Sequence, residues 1–273
     1  NGTFSICVTD PCPGGNAAND QPCNATTLGL NVNLTGDNTC SNNIGDPVSI
    51  PSCWVSGTSN TVWYKFVCPA SGQVKIRTTL GTLSNTQIAV FSGSCASLTM
   101  IAGACNDNSP TCGTSSYNNS ELTISSGLTA GSTYYIAVDG TADLKGTFDI
   151  MVVNGATGFP LAAGQDCGSY NPVCGQTITV GNPGYQAYGN NCDFPGGGSN
   201  CLSSGERGSA WYSIPINAAG ILEFSIEPLD WLGAPSTTAT DYDFALWKIA
   251  GTGATTCASI ASGAAPIRCN YSG

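Results

Sequence analysis

Short apolar stretches divided by clusters of small polar residues set the rhythm of this chain. Runs rich in Val, Ile, Phe, Tyr and Thr occupy residues 62–67, 74–76, 87–91, 134–138 and 147–152, and Gly, Asn, Ser and Pro fill the gaps. That is the pattern of half-buried strands bounded by turns. Tyr135, Ala137 and Asp139 alternate with Tyr134, Ile136 and Val138, a period of two that sends the two sets to opposite faces of a sheet. No segment offers a convincing amphipathic helix. The predicted fold class is all-β, and about eight such runs within roughly 140 residues favour an antiparallel two-sheet sandwich of jelly-roll type.

The pattern also repeats. Residues 62–76 match residues 210–224: each reads strand, turn, strand, with the pair Trp63-Tyr64 where the other has Trp211-Tyr212. Residues 87–91 match 243–247. Cys95-Ala96-Ser97-Leu98 followed by Cys105-Asn106 matches Cys257-Ala258-Ser259-Ile260 followed by Cys269-Asn270. Four landmarks in one order predict two copies of one domain. After Cys105-Asn106 the first copy continues through three more apparent strands, at 120–124, 134–138 and 146–152, for which the second copy has no counterpart. Residues 2–8, Gly-Thr-Phe-Ser-Ile-Cys-Val, resemble residues 146–152, Gly-Thr-Phe-Asp-Ile-Met-Val. The expected layout is the last strand of a preceding repeat at 1–10, a complete sandwich at 17–154, and a second sandwich at 164–273 truncated at its C-terminal end. A sandwich lacking three strands exposes open edges and half a core. The missing strands are expected from continuing chain, with donation by a neighbouring subunit as the alternative.

Composition narrows the setting. Charged residues make up 9% of the 273, against roughly 25% in a typical soluble domain. Fifteen cysteines with no histidine and no Cys-x-x-Cys spacing point to disulfides in an oxidising compartment rather than to zinc. An odd count leaves one thiol free, bonded to another chain, or missing its partner. Seven basic against 17 acidic residues argue against nucleic acid and against an anionic lipid surface. No apolar run approaches the roughly 20 residues of a membrane helix, so membrane insertion is not expected.

Candidate chemistry is sparse. Without histidine, neither a Ser-His-Asp nor a Cys-His nucleophile system can be assembled within the chain. Glu206, Glu223 and Glu227 are available as acids, but nothing marks them as a glycosidase pair, and no enzyme is expected. Trp63 and Trp211 could stack on sugars, yet their matched places inside strands favour core packing. Trp231 lies in an apolar insertion at 229–235 that the first copy lacks. It is a candidate contact for a ligand or a neighbouring domain, or else a lid on the sandwich. Asp241 and Asp243, two residues apart at a strand start, with Asn270, form one candidate oxygen set. Asp20, Asn106, Asp107 and Asn108 form another. Oxygen ligands with few basic neighbours suit calcium, and turn-forming Asn and Asp explain many such clusters without metal. For the disulfides, Cys95–Cys105 and Cys257–Cys269 are expected as equivalent pairs flanking a short segment after matched strands. Cys192–Cys201 and Cys167–Cys174 are less constrained, because six cysteines allow fifteen connectivities.

Trp63-Tyr64-Lys65-Phe66, residues 87–91 and residues 128–138 (Leu-Thr-Ala-Gly-Ser-Thr-Tyr-Tyr-Ile-Ala-Val) resemble the bacterial pre-peptidase C-terminal domain, a jelly-roll-like sandwich. The second copy, through residues 201–207, Ser209-Ala210-Trp211-Tyr212, 241–246 and 265–272, resembles repeats of giant gliding-motility-associated surface proteins of the Bacteroidota. Those proteins leave the cell by type IX secretion. The resemblance implies an extracellular, cell-surface setting. It further implies a structural or adhesive role in surface attachment, gliding or capture of prey or substrate. Expected partners are neighbouring repeats, a homo-oligomer or filament, and surface glycans. The alternative is a carbohydrate-binding or accessory module of a secreted hydrolase. Repeats of this type serve many ends, so the ligand does not follow from the fold.

Overall fold

A computed structural model of the chain describes residues 12–46, 51–109, 118–160, 164–173, 189, 191–194, 201–202, 205–206, 208–227, 242–249 and 253–270. They divide into two compact units, the first ending at Pro160 and the second containing residues 164–270. Residues 1–10, read as a strand of a preceding repeat, lie outside the described residues.

The first unit is a two-sheet sandwich. Its strands are β1 (Thr26–Thr27), β2 (Asn33–Asp37), β3 (Val62–Val67), β4 (Val74–Leu80), β5 (Thr86–Ser94), β6 (Ser97–Asn106), β7 (Glu121–Ile124), β8 (Thr133–Gly140) and β9 (Thr147–Asn154). One sheet runs β1-β3-β8-β5-β6 and the other β2-β9-β4-β7. All pairings in it are antiparallel except β1 with β3, where Thr26 and Thr27 lie parallel to Tyr64 and Lys65.

The period of two decides which residues meet between the sheets. Val62, Tyr64 and Phe66 of β3, Ile136 and Val138 of β8, and Val74 and Ile76 of β4 are all at most 2% exposed and belong to one core. Phe148, Ile150 and Val152 of β9 join them, while Thr147, Asp149 and Met151 point outward. Aromatic edges lock the two sheets, with Tyr64 meeting Phe148 edge-on at 6.2 Å. Gly36 of β2 permits this contact, since a Cβ there would lie 2.1 Å from the Tyr64 hydroxyl and 2.7 Å from the Phe148 ring. On the second sheet Arg77 and Glu121 face each other across β4 and β7, with Nε donating to Oε2 at 2.7 Å. Cys68, the free cysteine among the described residues, is sealed in the core, where burial pushes its thiol pKa up.

The second unit has less regular structure among its described residues. Its strands are β10 (Asn171–Pro172), β11 (Tyr212–Ser213), β12 (Phe244–Leu246) and β13 (Arg268–Asn270). It also contains a helix that the apolar pattern does not reveal, α1 (Gly253–Ala261). Thr256 and Ile260, four residues apart, form its buried stripe, too short a signal to read in a nine-residue stretch of small side chains.

Several pairings of the first unit recur here. β10 lies parallel to β11, with Asn171 beside Tyr212, as β1 lies beside β3. β12 pairs β13 with Phe244 opposite Asn270 and Ala245 opposite Cys269. In the first unit the aligned residues show the same register, Ile88 opposite Asn106 and Ala89 opposite Cys105.

Truncating an inward residue of β9 is expected to be costly and an outward residue of its partner strand cheap. Phe148→Ala should lower the stability of the first unit by about 3–5 kcal/mol in chemical denaturation. Lys75→Ala should stay within about 0.5 kcal/mol. Equal effects would contradict the facing assigned to β4 and β9.

Candidate functional site

β3 is apolar on both sides. Opposite its core-facing residues, Trp63 stands on the outer side of the sheet, 1% exposed, in a second cluster with Ala25, Trp54, Ala89, Phe91 and Ala137. The segment 51–60 covers it. Trp54 donates its indole N–H to the Ile88 carbonyl at 3.0 Å, and Gln87 accepts the Val55 N–H at 3.0 Å. The fully buried Asp139, on β8, accepts N–H groups from Ser59 at 2.8 Å and Asn60 at 3.1 Å. The Trp63 ring meets Phe91 at 5.4 Å, and its indole N–H donates to Asp46 at 2.8 Å. Burial lifts the Asp46 carboxyl to about 6, opposed by the bond from Trp63 and reinforced by the charges of Asp139 and Asp20.

The second unit repeats the aromatic pair with different acids. Trp211 and Trp247, aligned with Trp63 and Phe91, stand 5.6 Å apart, and Phe194 packs on both. Beside them lie Asp166, Asp193 and Glu206, each at most 5% exposed. Asp193 accepts the Cys167 N–H at 2.5 Å, Glu206 accepts the Asp193 N–H at 2.7 Å, and the Ser209 hydroxyl donates to Glu206. The Trp211 N–H is close enough to favour the charged form of Asp193 and of Glu206, yet it meets hydrogen-bond geometry with neither. Desolvation dominates, lifting Asp193 to about 6 and Glu206 to about 7. These acids are buried on all sides and hold loops in place. The sequence names Glu206 as an available acid but carries no sign of its burial, apart from the Asp-Cys and Cys-Asp neighbours at 166–167 and 192–193.

The disulfides connect differently from expectation. Cys95 bonds Cys23, and Cys105 bonds Cys53, so the pair Cys95–Cys105 is not formed. The β5–β6 register explains why. Ser94 faces Ser97 at the hairpin tip, where Cys95 sits, whereas Cys105 faces Ala89 far down the ladder. Eight residues of strand place the two about 26 Å apart, beyond a disulfide's reach. In the second unit Cys257 bonds Cys167 and Cys269 bonds Cys201, which overturns Cys257–Cys269, Cys192–Cys201 and Cys167–Cys174 together. α1 carries Cys257 to the turn that holds Cys167, while β13 fixes Cys269 opposite Ala245. Cys192 is also disulfide-bonded, and Cys174 lies outside the described residues. With Cys12–Cys40 added, the resolved bridges of the first unit close loops of 28, 52 and 72 residues. Closing the longer ones contributes on the order of 4 kcal/mol each in the chain-entropy picture.

The oxygen sets are placed as follows. Asp20 accepts from Asn42 N at 2.7 Å, from Asn16 at 3.0 Å and from the Asn42 side chain at 3.2 Å. Asp107 accepts the Thr141 hydroxyl at 2.8 Å, and Asn106 bridges the Asn108 carbonyl to the Glu121 N–H. The two networks share no partner, and both carboxylates accept N–H or O–H donors. Asp243 and Asn270 are exposed beside the Phe244–Asn270 rung, and Asp241 and Trp231 lie outside the described residues. No group of three or more acidic, Cys or His residues positioned for a metal occurs among the described residues. No helix among them is long and apolar enough to cross a membrane.

No family model matches the chain, and no curated protein matches it. Among solved structures, the pre-peptidase C-terminal domain of a collagenase from Bacillus anthracis is similar at 15% identity and a TM-score of 0.29. The match covers 47% of this chain and 93% of that one. At that level it adds nothing to the fold described above.

Burial of Glu206 and Asp193 has a pH signature. Their folded pKa values lie above the ordinary carboxyl values of 4.5 and 3.8, so the fold favours their protonated forms. The stability contribution is full below about pH 4 and is lost as pH rises through about 7. The second unit should therefore melt at a higher temperature at pH 5 than at pH 8, by on the order of 1–3 kcal/mol in stability. Glu206→Gln should flatten most of that difference, and a pH dependence unchanged in the variant would assign it elsewhere.

Proposed function

We propose that this chain is part of an extracellular structural or adhesive protein, built of tandem disulfide-bonded sandwich units. The observation that carries the reading is the overlapping pair of bridges Cys23–Cys95 and Cys53–Cys105, which ties the segments around Cys23 and Cys53 to the tip of the β5–β6 hairpin and to the far end of β6. Bridges of that kind belong to an oxidising compartment and suit a protein exposed to proteases and to tension. The recurrence of the two-bridge arrangement at aligned cysteines, Cys167–Cys257 and Cys201–Cys269, supports a tandem repeat. Exposed aromatics favour this reading over a carbohydrate-binding module. Trp63 is buried, and Tyr170 and Phe224 are the large aromatics that stand clearly exposed among the described residues. The finer assignment, to gliding-type surface proteins of the Bacteroidota using type IX export, rests on the sequence resemblance and on the residues named with it, and calcium rests on the oxygen sets around Asp20 and Asp243 alone.

The reading is tested on the cell that makes the protein. Gold-labelled antibody against the chain should decorate extended surface structures. Recovery of the chain as a soluble tail on a hydrolase would favour the accessory-module alternative instead.

A mechanical test follows from the bridges. With Cys12–Cys40 and Cys53–Cys105 intact, the shortest covalent path through residues 12–160 skips most of the chain before Cys105. Pulling the first unit from its ends should release roughly 240 Å, and roughly 520 Å after reduction. An extension indifferent to reductant would show that the bridges carry no tension.

A further inference from the structure

Asp46 has one carboxylate oxygen held and the other without a partner. Oδ1 accepts the Trp63 indole N–H at 2.8 Å. Oδ2 is shut off from solvent and accepts no hydrogen bond. The nearby Thr61 hydroxyl is turned to Asp139, to which it donates at 3.4 Å. Besides Trp63 and Thr61, the groups acting on this carboxyl are Asp139 of β8 and Asp20, both acids. A proton on Oδ2 therefore removes a buried, uncompensated charge and leaves the bond from Trp63 intact.

The turn carrying Asp46 is pinned along its length. Asp20 accepts the Asn42 N–H at 2.7 Å and its side chain at 3.2 Å, and Asn42 accepts the Ile44 N–H at 2.7 Å. The Asn43 side chain donates to the Thr58 carbonyl at 3.0 Å, and the Gln21 amide donates to the Ile44 carbonyl. Gly45 makes the tight approach possible, with a φ of 90° and a Cβ position only 2.3 Å from Gln21 Oε1. The Asp46 N–H closes the turn on the Asn43 carbonyl at 3.3 Å. Asp46 is thus fixed through both its main chain and its side chain. The residue bonded to it is Pro47, in one of two Asp-Pro junctions, the other being Asp10-Pro11. Asp10, Pro11 and Pro47 lie outside the described residues, and the chemistry below needs only the identity of Pro47.

We infer that Asp46 cuts its own chain, its side-chain carboxyl displacing Pro47 from the Asp46 main-chain carbonyl. The unpartnered carboxyl oxygen attacks that carbonyl carbon, and the new C–O bond closes a five-membered cyclic anhydride. The C–N bond to Pro47 breaks, and the carboxyl proton passes to the proline nitrogen, which leaves as a secondary amine. Water, the one co-reactant, then opens the anhydride. Asp46 becomes a C-terminus and Pro47 an N-terminus. The attacking and the attacked groups both belong to Asp46, which the fold holds in place. The leaving amine needs a proton, so the reactive form is the neutral carboxyl. Burial holds its pKa at about 6 against an ordinary 3.8. At pH 6 about half of the folded chains carry that proton, against under about 1% for a solvated Asp, roughly an 80-fold difference. Cys23–Cys95 spans the cut, so the two pieces stay joined.

The full chain, incubated at a series of pH values with protease inhibitors, should yield fragments 1–46 and 47–273 by mass spectrometry after reduction. Without reductant it should run as one band. The rate should rise as pH falls through about 6. Asp46→Asn should abolish the cut with near-ultraviolet circular dichroism retained, and Pro47→Ala should slow it by providing a poorer leaving group. Trp63→Phe removes the bond that favours the carboxylate, so it should move the midpoint of the pH profile upward, which loss of packing alone would not do. Reduced and unfolded in urea at pH 6, the chain should cut at Asp46–Pro47 roughly 80-fold more slowly, no faster than at Asp10–Pro11. Four results overturn the proposal: no fragments from the folded chain, a cut that survives Asp46→Asn, a midpoint at the ordinary carboxyl value, and equal rates folded and unfolded.

Discussion

Everything in the first unit depends on β3 being buried on both faces. A sandwich needs one apolar face per sheet, and Val62, Tyr64 and Phe66 supply it. Trp63, between them, puts an indole on the side that would otherwise meet water. That side is covered by a loop, which has no ladder of its own to hold it. The covering is therefore secured by other means: Cys53–Cys105, the Trp54 and Gln87 hydrogen bonds, and the N–H groups that Asp139 gathers from residues 59 and 60. In a chain with few charges, these polar and covalent ties do what surface ion pairs cannot do reliably.

The second unit meets the same demand with altered parts. Trp211 takes the place of Trp63 and Trp247 that of Phe91, and the ring separation changes by 0.2 Å, from 5.4 to 5.6 Å. The acid near the indole moves from Asp46 to Asp193, each a few residues ahead of the cysteine that bridges to the β6-type strand. Between Cys167 and Cys269 the chain inserts α1 without disturbing the register of β12 on β13. The aromatic pair and its bridges are thus the structural element that the two units share.

Strands were legible in the sequence because burial alternates with period two, and Tyr134-Tyr135-Ile136-Ala137-Val138 shows both faces at once. The place of Trp63 inside a strand was legible for the same reason. Disulfide connectivity was not, because it depends on how far along β6 each cysteine sits from the hairpin tip, and nearness in sequence misled for Cys95 and Cys105. The raised acids escaped notice since an Asp or Glu reads alike whether it lies in water or under a tryptophan. Asp20 and Asp107 are similar in this respect: nothing in their sequence neighbourhood gives the N–H and O–H donors from which they accept.

The thiol of Cys68 imposes an order of events. It is one cysteine among many in an oxidising environment, and any of its neighbours could capture it as a mixed disulfide while the chain is open. Once Phe66, Leu128 and the rest of the core close around it, the raised pKa and the loss of access remove it from that exchange. Correct oxidation thus favours collapse of the sandwich before the bridges are finally made. A secretion pathway handling this protein would gain from isomerase activity, which frees chains trapped through Cys68, more than from faster oxidation.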